Sequence, residues 1–304
     1  ITHTKGANMT CPYCGGGHGK KKGVQNNQQR FVCYTCKKQF QAPLDASSKS
    51  FPRILLFDIE TSLMKVYVWG LYKQYIPHNN IIDTWFVISW SAKWLYGKKL
   101  MSDTVTPKEA VKKHDRRILK SIHTLLNKAD IVIGHNVDRF DIRKLNWRFI
   151  SNNMKPPLPY RSIDTLKVAR SQFAAPSYKQ DYLTKYFTLE KKLKTEFKLW
   201  ISCMQGDKKA LKRMARYNRH DVMGLEEVYL KLRPYIKNHP NLSVLMDDDV
   251  CTSCGSYNLE ETEAVYFTSA SKFPVFRCAD CKTPHIRGKK NVNQGKTQMR
   301  SVAR

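Results

Sequence analysis

Carboxylates are scarce in this 304-residue chain: 25 Asp and Glu stand against 53 Lys and Arg, a formal charge of +28. A surplus of that size is of no use toward a small neutral substrate; it attracts polyanions, and nucleic acid is the first partner to consider. Any run of about 18 apolar residues is also missing, so no membrane-spanning helix is expected. The first residues are polar and carry a Cys pair where a secretory signal would have an apolar core, which points to the cytoplasm. Gly (14) and Pro (13) are too few for collagen-like or low-complexity architecture, and 41% apolar with 26% charged residues argues against wholesale disorder. What is left is a folded chain with room for one large or two ordinary domains.

The acidic residues are also unevenly placed. Residues 1–50 carry a net charge of +7, 51–240 of +19, 241–286 of −4 and 287–304 of +6. Eight of the nine cysteines form four C-x-x-C pairs: Cys11 and Cys14, Cys33 and Cys36, Cys251 and Cys254, Cys278 and Cys281. Two such pairs about twenty residues apart supply four soft thiolates that can converge on a tetrahedral Zn2+. Disulfides are the alternative, but repeated C-x-x-C pairs without a secretion signal fit metal far better. Two structural Zn2+ are therefore expected, each stabilising a segment too short to bury a core of its own. His18 and His285 could replace a thiolate, yet with four Cys in register each reads as a neighbour of the ligands or a surface residue. Cys203 reads as an ordinary buried apolar side chain.

The two Cys-rich segments differ in charge. The first interleaves Lys20, Lys21, Lys22, Arg30, Lys37 and Lys38 with Phe31, as a nucleic-acid-binding module would. It resembles the zinc ribbons at the N-termini of insertion-sequence transposases. The second carries Glu260, Glu261 and Glu263 and reads as a structural or docking module, leaving a protein partner open. The Ser-, Ala- and Pro-rich stretch 41–53 reads as a linker, and a second boundary falls near 237–249. Expected domains are thus a four-cysteine zinc ribbon at 1–48, a main domain at 49–240, a second four-cysteine zinc ribbon at 241–286, and a basic, flexible tail at 287–304.

Within the main domain, RILLFDIE reads as a buried central strand, VYVWGLY and IIDTWFVISWSAKWL as further strands, and IVIGHN as a short one. Helices are expected around residues 110–129 and 141–154, through much of 162–197, and from Asp207 to Pro234, where apolar residues recur at spacings of three and four. The order indicates an α/β domain with a mixed sheet.

On the first strand, Asp58 and Glu60 are two apart and project from one face. Two carboxylates there are costly to desolvate unless a cation or hydrogen bonds compensate. Asn136, Phe140 and Asp141 follow the short strand, with Asp141 at a helix start, and Tyr217 and Asp221 are four apart on one helical face. Taken singly these are a strand end, a cap and a surface pair. Taken in order, D-x-E, N-x-x-x-F-D and Y-x-x-x-D place four carboxylates and a phenol where they can converge.

That set, covering about residues 52–235, resembles the DEDD superfamily of 3′-to-5′ exonucleases, with the ribonuclease H-like fold, and in particular the proofreading domains of family B DNA polymerases. The Tyr-x3-Asp spacing resembles the tyrosine subclass; the histidine subclass would have His at position 216, where Arg216 stands. The region 63–95 also resembles the opening hairpin of bacteriophage nucleases, in which case the location would be the host cytoplasm. The resemblance implies a metal-dependent 3′-to-5′ exonuclease, with Asp58, Glu60, Asp141 and Asp221 holding two Mg2+ or Mn2+ and Tyr217 orienting the attacking water. It implies single-stranded nucleic acid or 3′ ends as substrate, DNA ahead of RNA. The aromatic Trp69, Tyr72 and Tyr75, and Thr61 beside Glu60, read as contacts for terminal bases and the 3′ end. A structure-specific endonuclease and a catalytically idle adaptor are the alternatives. Asp164 reads as structural, and Trp85, Trp90 and Trp94 as core.

Overall fold

The computed structural model describes residues 19–25, 28–43, 51–188, 195–246, 248–268 and 271–286. Cys11, Cys14, His18 and the basic tail lie outside them. Contacts divide the chain into two units, Arg53–Leu232 and a second made of Ile1–Pro52 with Arg233–Arg304. None of the described helices is long and apolar enough to cross a membrane.

The described residues open with a three-stranded antiparallel sheet, β1 (Gly19–Gln25), β2 (Gln28–Cys33) and β3 (Gln39–Pro43). The larger unit then begins with β4 (Ile54–Thr61), followed by a short antiparallel pair, β5 (Lys65–Val66) and β6 (Ile81–Asp83). Strands β7 (Val87–Trp94) and β8 (Leu100–Thr104) lead to α1 (Pro107–Val111), α2 (Arg116–Leu126), β9 (Ile131–Gly134) and α3 (Asp141–Ser151). The unit ends with β10 (Arg161–Asp164), α4 (Thr165–Gln172), α5 (Gln180–Thr188), α6 (Phe197–Met204) and the long α7 (Lys208–Leu232). Its five-stranded sheet has the order β10-β9-β4-β7-β8, with β4, β9 and β10 parallel and β7 and β8 antiparallel to their neighbours.

This is the mixed α/β sheet expected from the sequence. The apolar run Ile54–Phe57 is continuous because β4 is central and both its faces are covered. On one face Ile59 and Trp90 meet α2, where Ile118, Leu119, Ile122 and Leu126 are fully buried, each contributing about 1.5–3 kcal/mol by leaving water. Trp90 donates from Nε1 to the Ile118 carbonyl at 2.9 Å. On the other face Asp58 and Glu60 lie opposite Ser91 and Ser89 of β7, and these two small buried side chains let α7 approach the sheet closely.

Three local readings change. The strand expected at VYVWGLY is limited to Lys65–Val66, since the residues beyond it have only β6 to pair with and extend into solvent. The helix expected around 110–129 is two: a capping box of Thr106 and Glu109 starts α1, and Lys113, at φ 55°, breaks the path before α2. Three residues of the segment expected to be helical, Ser162–Asp164, instead extend the sheet as part of β10, and Asp164 then caps α4 by accepting from the Leu166 and Lys167 amides.

The second unit resumes with α8 (Leu242–Met246), β11 (Leu259–Phe267), β12 (Lys272–Cys278) and β13 (Pro284–Ile286), the strands antiparallel. Cys251, Cys254, Cys278 and Cys281 are buried, with sulfurs all within 4.8 Å of one another. The Cys251–Cys281 and Cys254–Cys278 separations of 3.5 and 3.6 Å are far beyond a disulfide and near the roughly 3.8 Å edge of a tetrahedron of 2.3 Å Zn–S bonds. Four buried thiols with so little apolar surface around them fit Zn2+. His285 sits beside them, its Nε2 at 3.2 Å from Cys251 Sγ and its Nδ1 at 3.1 Å from Thr252 Oγ1. Gly255 turns the knuckle at φ +70°, where a Cβ would meet Phe51 at 2.9 Å.

In the same unit the two terminal segments touch. Gly23 approaches so closely that a Cβ would lie 2.7 Å from Ser256 Oγ, and Arg30 forms an ion pair with Asp280 at 3.8 Å. Replacing Cys278 by Ser should lower bound zinc by one equivalent in elemental analysis. It should also expose the β11–β13 amides to hydrogen exchange, while those of β4 and β9 stay protected, because an ion held by the four thiols would take the place of a core there.

Candidate active site

The site is set by the alternation of β4. Its even positions, Asp58 and Glu60, face α7, while Ile59 turns into the core. A register shift between Glu60 and Thr61 in the pairing with β7 marks the point where the strand leaves the sheet. From α7, Tyr217 and Asp221 arrive on one helical face. The result is a cluster of Asp58, Glu60 and Asp221 whose carboxylate oxygens lie within 4.8 Å of one another. Hard oxygen donors so arranged suit Mg2+ or Mn2+.

Mutual repulsion is offset in part by a residue that sequence reading passed over. Asn218, fully buried between the helix and the sheet, donates from Nδ2 to Asp58 Oδ2 at 2.6 Å and lies 3.3 Å from the Asp58 carbonyl. Its own Oδ1 accepts from Ser89 Oγ at 3.3 Å. Its place directly after Tyr217 in YNRHD was the available signal: a polar residue on the buried side of an amphipathic helix needs partners.

Tyr217 is buried, packs edge-on to Trp200 at 6.3 Å between ring centroids, and donates its hydroxyl to Asp221. Burial, then the charges of Asp221, Glu60 and Asp58, push its pKa well above the usual phenol range, so the proton stays on oxygen. Asp141, at the start of α3, stands apart from the cluster: its Oδ1 accepts from the Ile59 amide at 3.1 Å, on the strand between the two β4 carboxylates. Only 2% of Asp141 is exposed, and burial raises its pKa to about 7.

The carboxylates open into a cavity of about 890 Å³. Arg170 of α4 and Lys179 also line it, adding positive charge to a lining that further includes Asp181, and Phe140 and Tyr178 add aromatic wall. Gln180 Nε2 donates to the Asp221 carbonyl at 2.6 Å, tying α5 to α7 beneath the cavity. Asp164 is structural, as read: besides capping α4 it accepts from the Asn136 amide at 2.9 Å, holding that residue at φ 66°. Cys203 is a core residue whose thiol burial pushes up to about 12.

Because Asp141 binds its proton more tightly folded than unfolded, it favours the native state most below about pH 4 and loses that advantage as pH rises toward 7. In chelator-treated protein, the thermal midpoint of wild type relative to Asp141→Asn should therefore fall between about pH 4 and 7 and level off above. The amide can still accept from Ile59. A pH-independent difference between the two would contradict this assignment.

No curated protein matches the chain. Among solved structures, the family B DNA polymerase from the hyperthermophilic archaeon Pyrobaculum calidifontis is similar over 83% of this chain and 36% of its own, with 14% identity and a TM-score of 0.42. This chain therefore spans little more than a third of that polymerase. The model of the RNase_H superfamily matches residues 55–233, which take in the five-stranded sheet from Leu55 onward and all of α7, and by that match the chain belongs to the RNase_H superfamily.

Proposed function

We propose that the protein is a metal-dependent nuclease that removes nucleotides from 3′ ends, with DNA preferred to RNA. The observation that carries the reading is the Asp58, Glu60 and Asp221 cluster at the wall of a cavity that also holds Arg170 and Lys179, in a chain of the RNase_H superfamily. A binding protein gains nothing from three carboxylates turned toward phosphate.

Asp58, Glu60 and Asp221 hold the Mg2+ or Mn2+ ions, two in number, with Asp141 the fourth carboxylate. Bound there, such ions polarise a phosphodiester and supply a water acidic enough to attack it. Asn218 fixes the rotamer of Asp58. The Tyr217 hydroxyl keeps its proton and orients the attacking water as a donor. Arg170 and Lys179 meet the phosphates of the bound strand. The basic N-terminal segment, with Cys11, Cys14, Cys33 and Cys36 on a second Zn2+, holds substrate by charge.

The test is incubation of 5′-labelled single strands of DNA and RNA with Mg2+ or Mn2+. A ladder shortening from the 3′ end is expected, with DNA faster. Cleavage of a hairpin lacking a free 3′ end would replace the reading with an endonuclease, and no cleavage of any substrate would remove the enzyme altogether. Asp58→Ala and Asp221→Ala should abolish turnover in folded protein. Tyr217→Phe should slow it by about 10²-fold, since only water positioning is lost. Asn218→Ala should weaken activity or metal affinity by about 10- to 100-fold.

A further inference from the structure

Directly after the catalytic strand the chain leaves the sheet for the arm 62–86, whose composition is unlike the rest of the surface. From Thr61 to Ile82 it has no carboxylate, while Lys65 and Lys73 alternate with three tyrosines and a tryptophan. Its base is held firmly. The Ser62 amide donates to the Phe86 carbonyl at 2.8 Å, the Phe86 amide donates to Ser62 Oγ at 2.9 Å, and Asp83 is paired with Lys113. At the foot, Trp85 is covered by Lys144, 3.9 Å from its ring centroid, and Lys144 also donates to Thr61 Oγ1 at 3.2 Å.

The tip is the reverse. Trp69 is 99% exposed, Tyr75 90%, Leu71 88% and Tyr72 86%. A protein surface seldom leaves so many large rings together in water without a ligand for them. The backbone that presents them is ordered by its own bonds: the Tyr67 amide donates to the Asn80 carbonyl at 2.9 Å, and Gln74 Nε2 to the Tyr72 carbonyl at 3.0 Å.

We infer that this arm is a stacking platform for the unpaired bases of a single nucleic-acid strand, and so selects single-stranded over duplex substrate. The inference rests on the proposed nuclease reading and deepens it by naming the substrate class. Flat π faces suit unpaired bases of any sequence, and bases held in a duplex do not offer theirs. The lysines between the rings and the absence of carboxylates complement a phosphate backbone, whereas a protein-binding patch has no need to exclude acid so completely. The firmly held base begins at Ser62, directly after Glu60 and Thr61, so a strand lying on the arm leads toward the carboxylates.

The experiment uses the full chain with Ca2+ in place of Mg2+, and reads anisotropy of a labelled single strand and of a blunt duplex. Replacing Trp69, Tyr72 and Tyr75 together by Ala should weaken single-strand binding by about 10- to 10²-fold and leave duplex binding within about twofold. Trp69→Phe should keep most of the affinity and Trp69→Leu should not, which separates stacking from plain apolar contact. Equal single-strand affinity in the triple variant overturns the inference, as does an equal loss toward duplex. A change of sedimentation with unchanged nucleic-acid binding also overturns it and assigns the arm to a contact between copies of the chain. Wild type that binds single strands through the arm but cleaves nothing in Mg2+ sinks the nuclease reading alone. A triple variant that binds and cleaves single strands as wild type does sinks the arm alone.

Discussion

Three carboxylates within 4.8 Å of one another repel, by about 3 kcal/mol per ionised pair at an effective dielectric of about 20, and the larger unit is built around carrying that cost. Asp58 and Glu60 sit on the central strand, paired there with β7 and tied through the Ile59 amide to Asp141, so its backbone cannot swing them apart. Asp221 and Tyr217 are fixed by the longest helix, packed on Ser89 and Ser91 where larger side chains would hold it off. Asn218 bonds the first acid, Tyr217 the last. The arrangement is tolerable by itself and would be improved by a bound cation.

Asp141 meets the same problem differently. It is the most buried of the four carboxylates, and burial there favours the protonated acid. Its bond to the Ile59 amide places it against β4 without adding a full fourth charge to the cluster. Arg170 and Lys179 add the opposite sign to the lining of the same cavity, which Asp181 also joins. Such a mixed lining suits a phosphodiester, whose oxygens the cations would meet while the carboxylates would take metal ions.

The smaller unit follows a different rule, because its strands enclose too little apolar surface. There Cys251, Cys254, Cys278 and Cys281 form a buried cluster of their own, and the packing around them depends on a small residue at Gly255 and on His285 at the edge of the thiols. The acidity of the second Cys-rich segment finds a use within that unit, where Asp280 pairs with Arg30 of the basic one.

Local pattern determined a good part of this protein. The run RILLFDIE could only be a buried strand ending in two acids on one face, since a period of two puts residues 58 and 60 together whatever surrounds them. The spacing of Leu211, Met214, Val222, Leu225, Tyr229 and Leu232 required a long amphipathic helix, and with it came Tyr217 and Asp221 four apart. The C-x-x-C pairs announced the sulfur cluster. What local pattern cannot supply is a partner. VYVWGLY has strand propensity, but without an adjoining strand its rings remain in solvent. Asp164 looks the same in sequence whether it ligates or caps, and only the amides of Asn136, Leu166 and Lys167 decide. Asn218 acquired its place from Asp58 and Ser89, residues more than a hundred positions away that no local period can bring together. A period states which face a side chain takes, whereas its charge state and its bond depend on what the fold sets opposite that face.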